Sequence, residues 1–330
     1  MSKQTNKSIA ERAIKAHYSY KQTQSEDTAR EYRRHIRRFH KYLNENTDVT
    51  LWDCHSGHAE DYYQWMFDDE YAPSSIRVAH AALGDFYKQI DKFAGRRGFP
   101  EVSVEQDPTE YATPERINGM HTESKKDAEG GDKPLTKEEV RKLVDNVPAP
   151  TTRNELIVRL LYQTGMRRSE LVRVKLDKID RDSREITVYG KKTDESRKVW
   201  YQASLDTLLN LWINGDRKAK LTADESPYLF CTSRSERMDE QVVTDVVTTA
   251  AENAGIQETI YQNRQGQNIN RIGAHTLRKT FGVHFINDGG DISFLMDILG
   301  HKNIETTKEN YLKYSTKDLE NSVRRHGPSL

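Results

Sequence analysis

The chain has 330 residues with 51 Lys and Arg against 51 Asp and Glu, so its formal net charge is zero. This length predicts about two domains at roughly 150 residues each, and the balance of 35% hydrophobic and 31% charged residues excludes both a disordered chain and a membrane protein. No apolar run is long enough to span a membrane, and the first residues lack the apolar core of a signal peptide, so we expect a cytoplasmic protein. The distant Cys54 and Cys231 support neither a disulfide framework nor a zinc site, and we expect ordinary buried thiols.

The first part of the chain has the hydrophobic periodicity of helices and no segment that reads as a strand. The second helix starts after Ser25, a residue type that favours the N-cap position, and has acidic residues in its first turn. In the fourth helix, apolar residues recur at helical spacing from Ile76 to Ile90. We therefore expect a helical bundle, with helices around 8–20, 26–45, 57–69 and 73–94.

The zero net charge hides an uneven distribution. Residues 1–42 contain eleven Lys and Arg against four acids, whereas residues 51–70 contain six acids and no Lys or Arg. The second predicted helix has one apolar stripe from Tyr32 to Leu43 and a separate stripe of cations, Arg30, Arg34, Arg37 and Lys41. A solvated charged face is the ordinary interpretation of one such helix, and contact with phosphates is the alternative.

A change in composition predicts the domain boundary. Glycine, proline, acids and lysine alternate without a period in the middle of the chain, as is typical of a flexible connector. We expect a helical domain, a linker and a second domain, at 1–112, 113–133 and 134–330.

The second domain has both helical and strand patterns. Thr136 and Glu139 have the spacing of a capping box, which predicts a helix start, and a strongly apolar helix over 155–163 ends at Gly165. Residues 184–201 alternate as a β-hairpin, with Lys191 to Asp194 at its tip. Helices are expected in the remainder, so the domain is predicted to be mixed α/β, mostly helical, with a small antiparallel sheet.

Four short segments of the second domain carry candidate site residues. They are Tyr162 to Leu171, the hairpin with Lys192, His275-Thr-Leu-Arg278, and Leu299-Gly-His301 followed by Tyr311. Their order resembles that of the tyrosine recombinases, the family of phage integrases and chromosome-dimer resolvases. The first segment is similar to the family's Thr-Gly-Leu-Arg-x-Ser-Glu-Leu string, with Met166 in place of the Leu.

The resemblance implies a catalytic set: Arg167, Lys192, His275, Arg278, His301 and the nucleophile Tyr311. Lys191 is the alternative lysine. Tyr311 lies one residue further from His301 than is usual for the family, and Tyr314 is the alternative nucleophile. Glu170, one helical turn from Arg167, is interpreted as an orienting partner for an arginine.

The same residue types fit phosphoryl transfer independently of the resemblance. Guanidinium groups bind the non-bridging oxygens of a phosphodiester bidentately and stay charged. A tyrosine with an ordinary pKa of about 10 needs nearby cations and a base before it attacks. No Walker, GxGxxG or HExxH motif and no acidic metal cluster is visible in the sequence, so we expect neither a cofactor nor a metal.

The resemblance also implies a fold, partners and an assembly. The fold is a helical core-binding, SAM-like N-terminal domain followed by the catalytic domain, which together clamp double-stranded DNA. A homotetramer would hold two duplexes and exchange strands through a Holliday junction, from protomers that are monomeric or dimeric when free, with accessory DNA-bending proteins left open. DNA contacts are expected at Arg30, Arg34, Arg37, Lys41 and Arg77.

Two other classes of function remain open at this point. A type IB topoisomerase uses similar chemistry and would relax supercoiled DNA of any sequence. An inactive DNA-binding regulator of the same fold would bind a defined site without forming a covalent complex. The target site, the host, and whether the reaction is dimer resolution or the integration or excision of a mobile genetic element are not encoded in these motifs.

Overall fold

The structure is a computed structural model that describes residues 3–117, 133–190, 196–262 and 266–300, with side chains from residue 8 onward. Contacts between Cα atoms divide the chain into two compact units, 1–129 and 130–330. None of the helices in these described ranges is long and apolar enough to cross a membrane.

The N-terminal unit is the predicted helical bundle. Its helices are α1 (Lys3–Gln22), α2 (Glu26–Asn46), α3 (Ser56–Asp68) and α4 (Pro73–Phe93), followed by a 3₁₀ turn at Pro114–Arg116. Ser25 is the N-cap of α2, and its Oγ accepts the Thr28 backbone N–H at 3.4 Å. The sequence prediction of helices in this region is confirmed.

Aromatic side chains fill the core of this bundle. Phe39, Tyr62, Tyr63 and Phe86 are completely buried, and the rings of Phe39 and Tyr62 lie 5.0 Å apart between α2 and α3. Large rings bury much apolar area and restrain one another's orientation. The apolar stripe of α2 is therefore fixed inside the bundle, and its opposite face is left to solvent.

Both cysteines are free and buried, as the sequence predicted. The Cys54 thiol lies 3.0 Å from the hydroxyl of Tyr87, which also contacts the Leu51 carbonyl. Burial raises the pKa of Cys54 to about 11. A thiol held neutral in this way behaves as a core residue, because the thiolate is the reactive form.

The C-terminal unit is mostly helical with two small sheets. Its helices are α5 (Lys137–Asp145), α6 (Thr151–Thr164), α7 (Arg168–Leu171), α8 (Asp206–Leu211), α9 (Glu240–Asn253), α10 (Ala274–Asn287) and α11 (Ile292–Leu299). Turns of 3₁₀ helix lie at Leu176–Lys178 and Ala203–Leu205, and a π-helical turn lies at Trp212–Asp216. The capping box that was predicted at the start of α5 is present, since Thr136 Oγ accepts the Glu139 N–H at 3.1 Å.

The predicted β-hairpin is also present. Strands β1 (Ile179–Asp180), β2 (Glu185–Tyr189) and β3 (Ser196–Trp200) form an antiparallel sheet in that order. Val188 pairs with Arg197, and Ile186 pairs with Val199. Directly paired residues share one face of a sheet, so Arg197 lies on the inward face with these three buried residues.

The expectation that helices fill the rest of the domain is wrong in two places. Residues 217–238 contain no helix, and the guanidinium of the buried Arg217 donates to the carbonyls of Ala223, Ser226 and Tyr228. A second hairpin, β4 (Thr259–Gln262) with β5 (Asn268–Asn270), precedes α10. Its strands have only four and three residues, and neither strand has a fully buried residue, so the hairpin is too short and too exposed for the period-2 pattern by which strands are predicted.

The core of this unit positions the candidate site. Leu156, Ile157, Leu160 and Leu161 of α6 are completely buried, so this helix is surrounded by the rest of the unit. The hydroxyl of Thr280 on α10 accepts the Leu135 N–H at 2.9 Å, which fixes α10 against the start of α5. The ends of α6, α10 and α11 are thereby held in a packed frame.

Candidate active site

A left-handed glycine at the end of α6 starts the site. Gly165 has φ +62° and closes the helix with a hydrogen bond from its N–H to the Leu161 carbonyl at 3.1 Å. Glycine adopts this conformation without the steric cost that a side chain brings. The helix therefore ends here, and the next one, α7, has Arg167 as its N-cap and Glu170 as its third residue.

Glu170 is the centre of the site. Its carboxylate accepts the Arg167 backbone N–H at 2.7 Å and the Arg167 Nη1 at 3.1 Å. Arg197 of β3 donates both Nη atoms to it, each at 2.7 Å, and Arg278 Nη1 lies 4.0 Å away. Among the described residues, three arginines from three separate segments thus meet at one carboxylate.

The carboxylate is ionised although it is only 2% exposed. Burial alone would raise the pKa of Glu170, but hydrogen bonds and charge from Arg197, the Arg167 N–H and the charge of Arg278 hold that pKa below its usual value. Hydrogen bonds to the charged form and opposite charges both favour ionisation. Glu170 therefore balances part of the positive charge of the cluster.

Arg278 connects three chain segments. It lies on α10, is 2% exposed, and donates Nη1 to the Gly165 carbonyl and Nη2 to the Leu299 carbonyl, each at 2.7 Å. These are the C-terminal ends of α6 and α11, where helical carbonyls lack intrahelical partners. His275 lies one turn earlier on the same helix and is exposed.

An open cleft of about 410 Å³ joins these predicted residues. It is lined by Arg167, Arg168, Ser169, Glu240, Thr244, Gly273, Ala274, His275 and Arg278. The Arg167 side chain is 45% exposed, whereas Arg168 donates to the hydroxyl of Thr244 on α9 at 2.7 Å. The cleft thus presents a histidine and guanidinium groups to an anion.

Three predicted catalytic residues, Lys192, His301 and Tyr311, lie outside the described residues, as do their alternatives Lys191 and Tyr314. Their chain neighbours are described: β3 begins at Ser196, and α11 ends at Leu299. The structure therefore brings together Arg167, Glu170, Arg278 and His275, and it leaves the other three as predictions from the sequence.

The predicted DNA contacts lie in the N-terminal unit. The four predicted cations of α2 are 51–73% exposed, and each forms an ion pair. Arg30 pairs with Glu26, Arg34 with Glu31, Arg37 with Glu11, and Lys41 with Glu45. Arg77 of α4 pairs with Glu115 at 3.6 Å. Exposed ion pairs contribute only about 0–1 kcal/mol each, so a phosphate could replace these carboxylates.

Arg197 is the site residue that the sequence prediction omitted. Its signal is its place on β3, two residues before the buried Val199, which puts both on one face of the strand. A cation on the buried face of a strand needs an anionic partner.

The described residues contain no group of three or more His, Cys, Asp and Glu that could hold a metal ion.

Comparison with known proteins identifies the family. The sequence profile of the phage integrase family matches residues 133–317. The chain belongs to the phage integrase family, the tyrosine recombinases. The profile of the phage integrase N-terminal SAM-like domain matches residues 15–92. The predicted family and fold class are confirmed.

Relatives within the tyrosine recombinases share part of the chain. It is 32% identical to tyrosine recombinase XerA of Pyrococcus furiosus over 196 residues, which are 58% of this chain and 61% of that protein. It is 32% identical to tyrosine recombinase XerC of Mycobacterium sp. strain KMS over 157 residues, which are 47% of this chain and 48% of that protein. The chain thus spans less than two thirds of the length of these relatives.

Solved structures of a site-specific recombinase and a transposon integrase share the fold. The XerH site-specific recombinase bound to its palindromic difH substrate matches with a TM-score of 0.68 at 19% identity, over 89% of this chain and 78% of that one. The Tn1549 transposon integrase in complex with transposon right end DNA also has a TM-score of 0.68, at 15% identity over 95% and 98%.

Proposed function

We propose that the protein is a site-specific DNA recombinase that cleaves and rejoins strands through a covalent 3′-phosphotyrosyl intermediate. The observation that carries the proposal is the arginine cluster around Glu170, which opens into a cleft shared with His275. Preorganised cations aimed at an anionic site stabilise charge that develops in a transition state. Membership of the tyrosine recombinases supports the same conclusion.

The proposed first step is an in-line displacement at a DNA phosphate. Tyr311 Oη attacks the phosphorus while His275 accepts its proton, and the bond from phosphorus to the 5′ oxygen breaks. Lys192 protonates that leaving oxygen, and Arg167, Arg278 and His301 stabilise the non-bridging oxygens. The phosphotyrosyl ester keeps the bond energy, so a second 5′ hydroxyl can reverse the step without ATP.

We further propose duplex DNA as the partner and a homotetramer on two duplexes as the active assembly, acting in the cytoplasm through a Holliday junction. The XerH and Tn1549 integrase structures contain DNA, which supports the choice of partner. The cations of α2 supply a sequence-independent contact with the DNA backbone in this proposal. Accessory DNA-bending proteins would assist assembly.

Covalent trapping tests the proposed reaction. Wild-type protein, Tyr311→Phe and Tyr314→Phe are mixed with intact and nicked labelled duplexes that tile the DNA flanking the gene, and run on a denaturing gel. We expect a shifted band with wild type and Tyr314→Phe that is absent with Tyr311→Phe, because only Tyr311 attacks the phosphorus.

Other results of these experiments would favour a different nucleophile or a different class of function. A band that persists in Tyr311→Phe and vanishes in Tyr314→Phe would make Tyr314 the nucleophile. Site-specific binding on a native gel without any covalent band would indicate a regulator. Relaxation of any supercoiled plasmid would indicate a topoisomerase.

The contact of α2 with DNA predicts a change in salt dependence. Each phosphate contact contributes about 0.9 to the slope of log K against log salt concentration. The double variant Arg34→Ala/Arg37→Ala is therefore expected to flatten that slope by about 2 units. The slope is measured by fluorescence anisotropy between low and moderate salt, with Arg141→Ala, an exposed and ion-paired arginine of α5, as the control. An unchanged slope in the double variant would remove α2 from the interface.

A further inference from the structure

Arg197 connects three segments that each carry a predicted catalytic residue. Its Nη atoms bind Glu170 at 2.7 Å each, and its Nε donates to the Ile298 carbonyl at 2.6 Å. Glu170 lies three residues after Arg167, Ile298 three residues before His301, and Arg197 five residues after Lys192. The side chain is only 14% exposed, and it is not among the residues that line the cleft.

Arg197 and Arg278 together bind the C-terminal end of α11. The carbonyls of Ile298 and Leu299 are consecutive, and Arg197 takes the first while Arg278 takes the second. Gly300 follows with φ +64°, and its backbone lies so close to Arg197 that a Cβ would be 3.2 Å from Cδ of that arginine. Cations at a helix C-terminus satisfy free carbonyls and the helix dipole. Both of these cations are also held near Glu170.

The geometry of the contact requires an arginine. Two parallel N–H bonds to one carboxylate with a third N–H directed to a carbonyl use the planar fork of a guanidinium, which a lysine ammonium cannot reproduce. A buried ion pair contributes little net stability compared with apolar residues of similar size. The arrangement therefore suits precise placement of the connected segments better than it suits general stability.

We propose that Arg197 is a positioning residue that couples the hairpin carrying Lys192 to Arg167 and to the turn before His301. When β3 is in its place, Arg197 orients Glu170, Glu170 orients Arg167, and the end of α11 is fixed. Displacement of the hairpin would therefore release Glu170, Arg167 and the end of α11 together. This inference rests on the proposed recombinase function for its catalytic consequence, whereas the coupling itself is a property of the free protein.

Hydrogen exchange in the free protein tests the coupling without any DNA. The variant is Arg197→Gln, and the matched control is Arg184→Gln, since Arg184 makes a bidentate pair with Asp206 just before β2, at the end of the hairpin opposite its tip. In Arg197→Gln we expect amides of 167–171 and of the segment after Ile298 to exchange about tenfold faster, along with β3, while α9 is unchanged. In Arg184→Gln, the amides of 167–171 and of the segment after Ile298 should exchange at the wild-type rate. Faster exchange confined to β3 in Arg197→Gln would overturn the proposal.

Single-turnover cleavage tests the catalytic consequence. On a duplex that wild-type protein cleaves, Arg197→Gln is expected to slow covalent complex formation about 100-fold, since small displacements of catalytic groups cost this much. Duplex affinity should stay unchanged, and Arg197→Lys should recover part of the rate. A duplex with sulfur in place of the 5′ bridging oxygen should speed the variant more than wild type, because a thiolate leaves without the proton from Lys192.

The outcomes separate this proposal from the proposed function. Normal cleavage by Arg197→Gln, or a loss of affinity alone, would overturn the positioning role. If wild type forms no covalent complex with any duplex, the recombinase proposal fails, and the exchange experiment still decides whether Arg197 couples the three segments.

Discussion

Replacement of Glu170 by Gln is expected to lower the free energy of unfolding by about 3–5 kcal/mol, because removing one partner of a buried ion pair leaves the other charge unbalanced. Arg197 and Arg278, which are 14% and 2% exposed, would then face a neutral amide. Arg167 contributes less to this loss because 45% of its side chain is in solvent. Chemical denaturation of the wild type and the variant measures the difference.

Glu139→Gln is the matched control for this variant. Glu139 is also the third residue of a helix, in a capping box, and it also binds an arginine, Arg271, at 2.6 Å. It is 24% exposed and away from the cleft, so its loss is expected to cost about 1 kcal/mol. Equal losses in the two variants would show that the buried cluster around Glu170 has no special energetic role.

The lowered pKa of Glu170 predicts how the stability difference between wild type and Glu170→Gln depends on pH. A carboxyl whose pKa is lower in the folded protein contributes stability above its unfolded pKa of about 4.3, and that stability is lost as the pH falls through the folded pKa. The stability difference between wild type and Glu170→Gln should therefore be constant near neutral pH and narrow on acidification. A difference that widens at low pH would contradict the assignment of an ionised Glu170.

Sequence patterns predicted those contacts of the site that join residues close together in the chain. The helix break at Gly165 and the spacing of Arg167 and Glu170 place both side chains at one turn, so the expectation that Glu170 contacts an arginine follows from four consecutive positions. The N-terminal helices were equally accessible, because a stripe such as that from Tyr32 to Leu43 repeats over several turns.

The long-range contacts could not be derived in this way. Arg278 binds the carbonyls of Gly165 and Leu299, which lie 113 and 21 residues away along the chain. Backbone carbonyls carry no side-chain identity, so no sequence pattern marks them as partners. The contact of Arg197 with Ile298 was hidden for the same reason. The β4 and β5 strands were missed because they are only four and three residues long and contain no fully buried residue.

Gly165→Ala is expected to combine a conformational and a steric cost. A left-handed conformation costs a residue with a side chain about 1–2 kcal/mol. The new Cβ would also lie 2.4 Å from Cδ1 of Phe281 and 2.8 Å from Cδ2 of Leu299, and overpacking of this kind costs about 1–3 kcal/mol more. Together the two costs predict a loss of unfolding free energy of about 2–5 kcal/mol, measured by chemical denaturation.

Gly255→Ala separates the two costs, because Gly255 has a similar φ of +65° and nothing within 4 Å of the added Cβ. Gly255→Ala should lose only the conformational part of the stability. A second change, Phe281→Leu, should relieve part of the steric cost in Gly165→Ala, since the contact of the new Cβ with Leu299 remains. Equal losses of stability in Gly165→Ala and Gly255→Ala would contradict the close approach of α10 and α11 to Gly165.

Since Arg278 binds the Gly165 and Leu299 carbonyls, displacement of these residues should also move its guanidinium from the cleft. Gly165→Ala molecules that fold should therefore cleave DNA more slowly than Gly255→Ala molecules, which ties the backbone conformation at the end of α6 to the chemistry of the site.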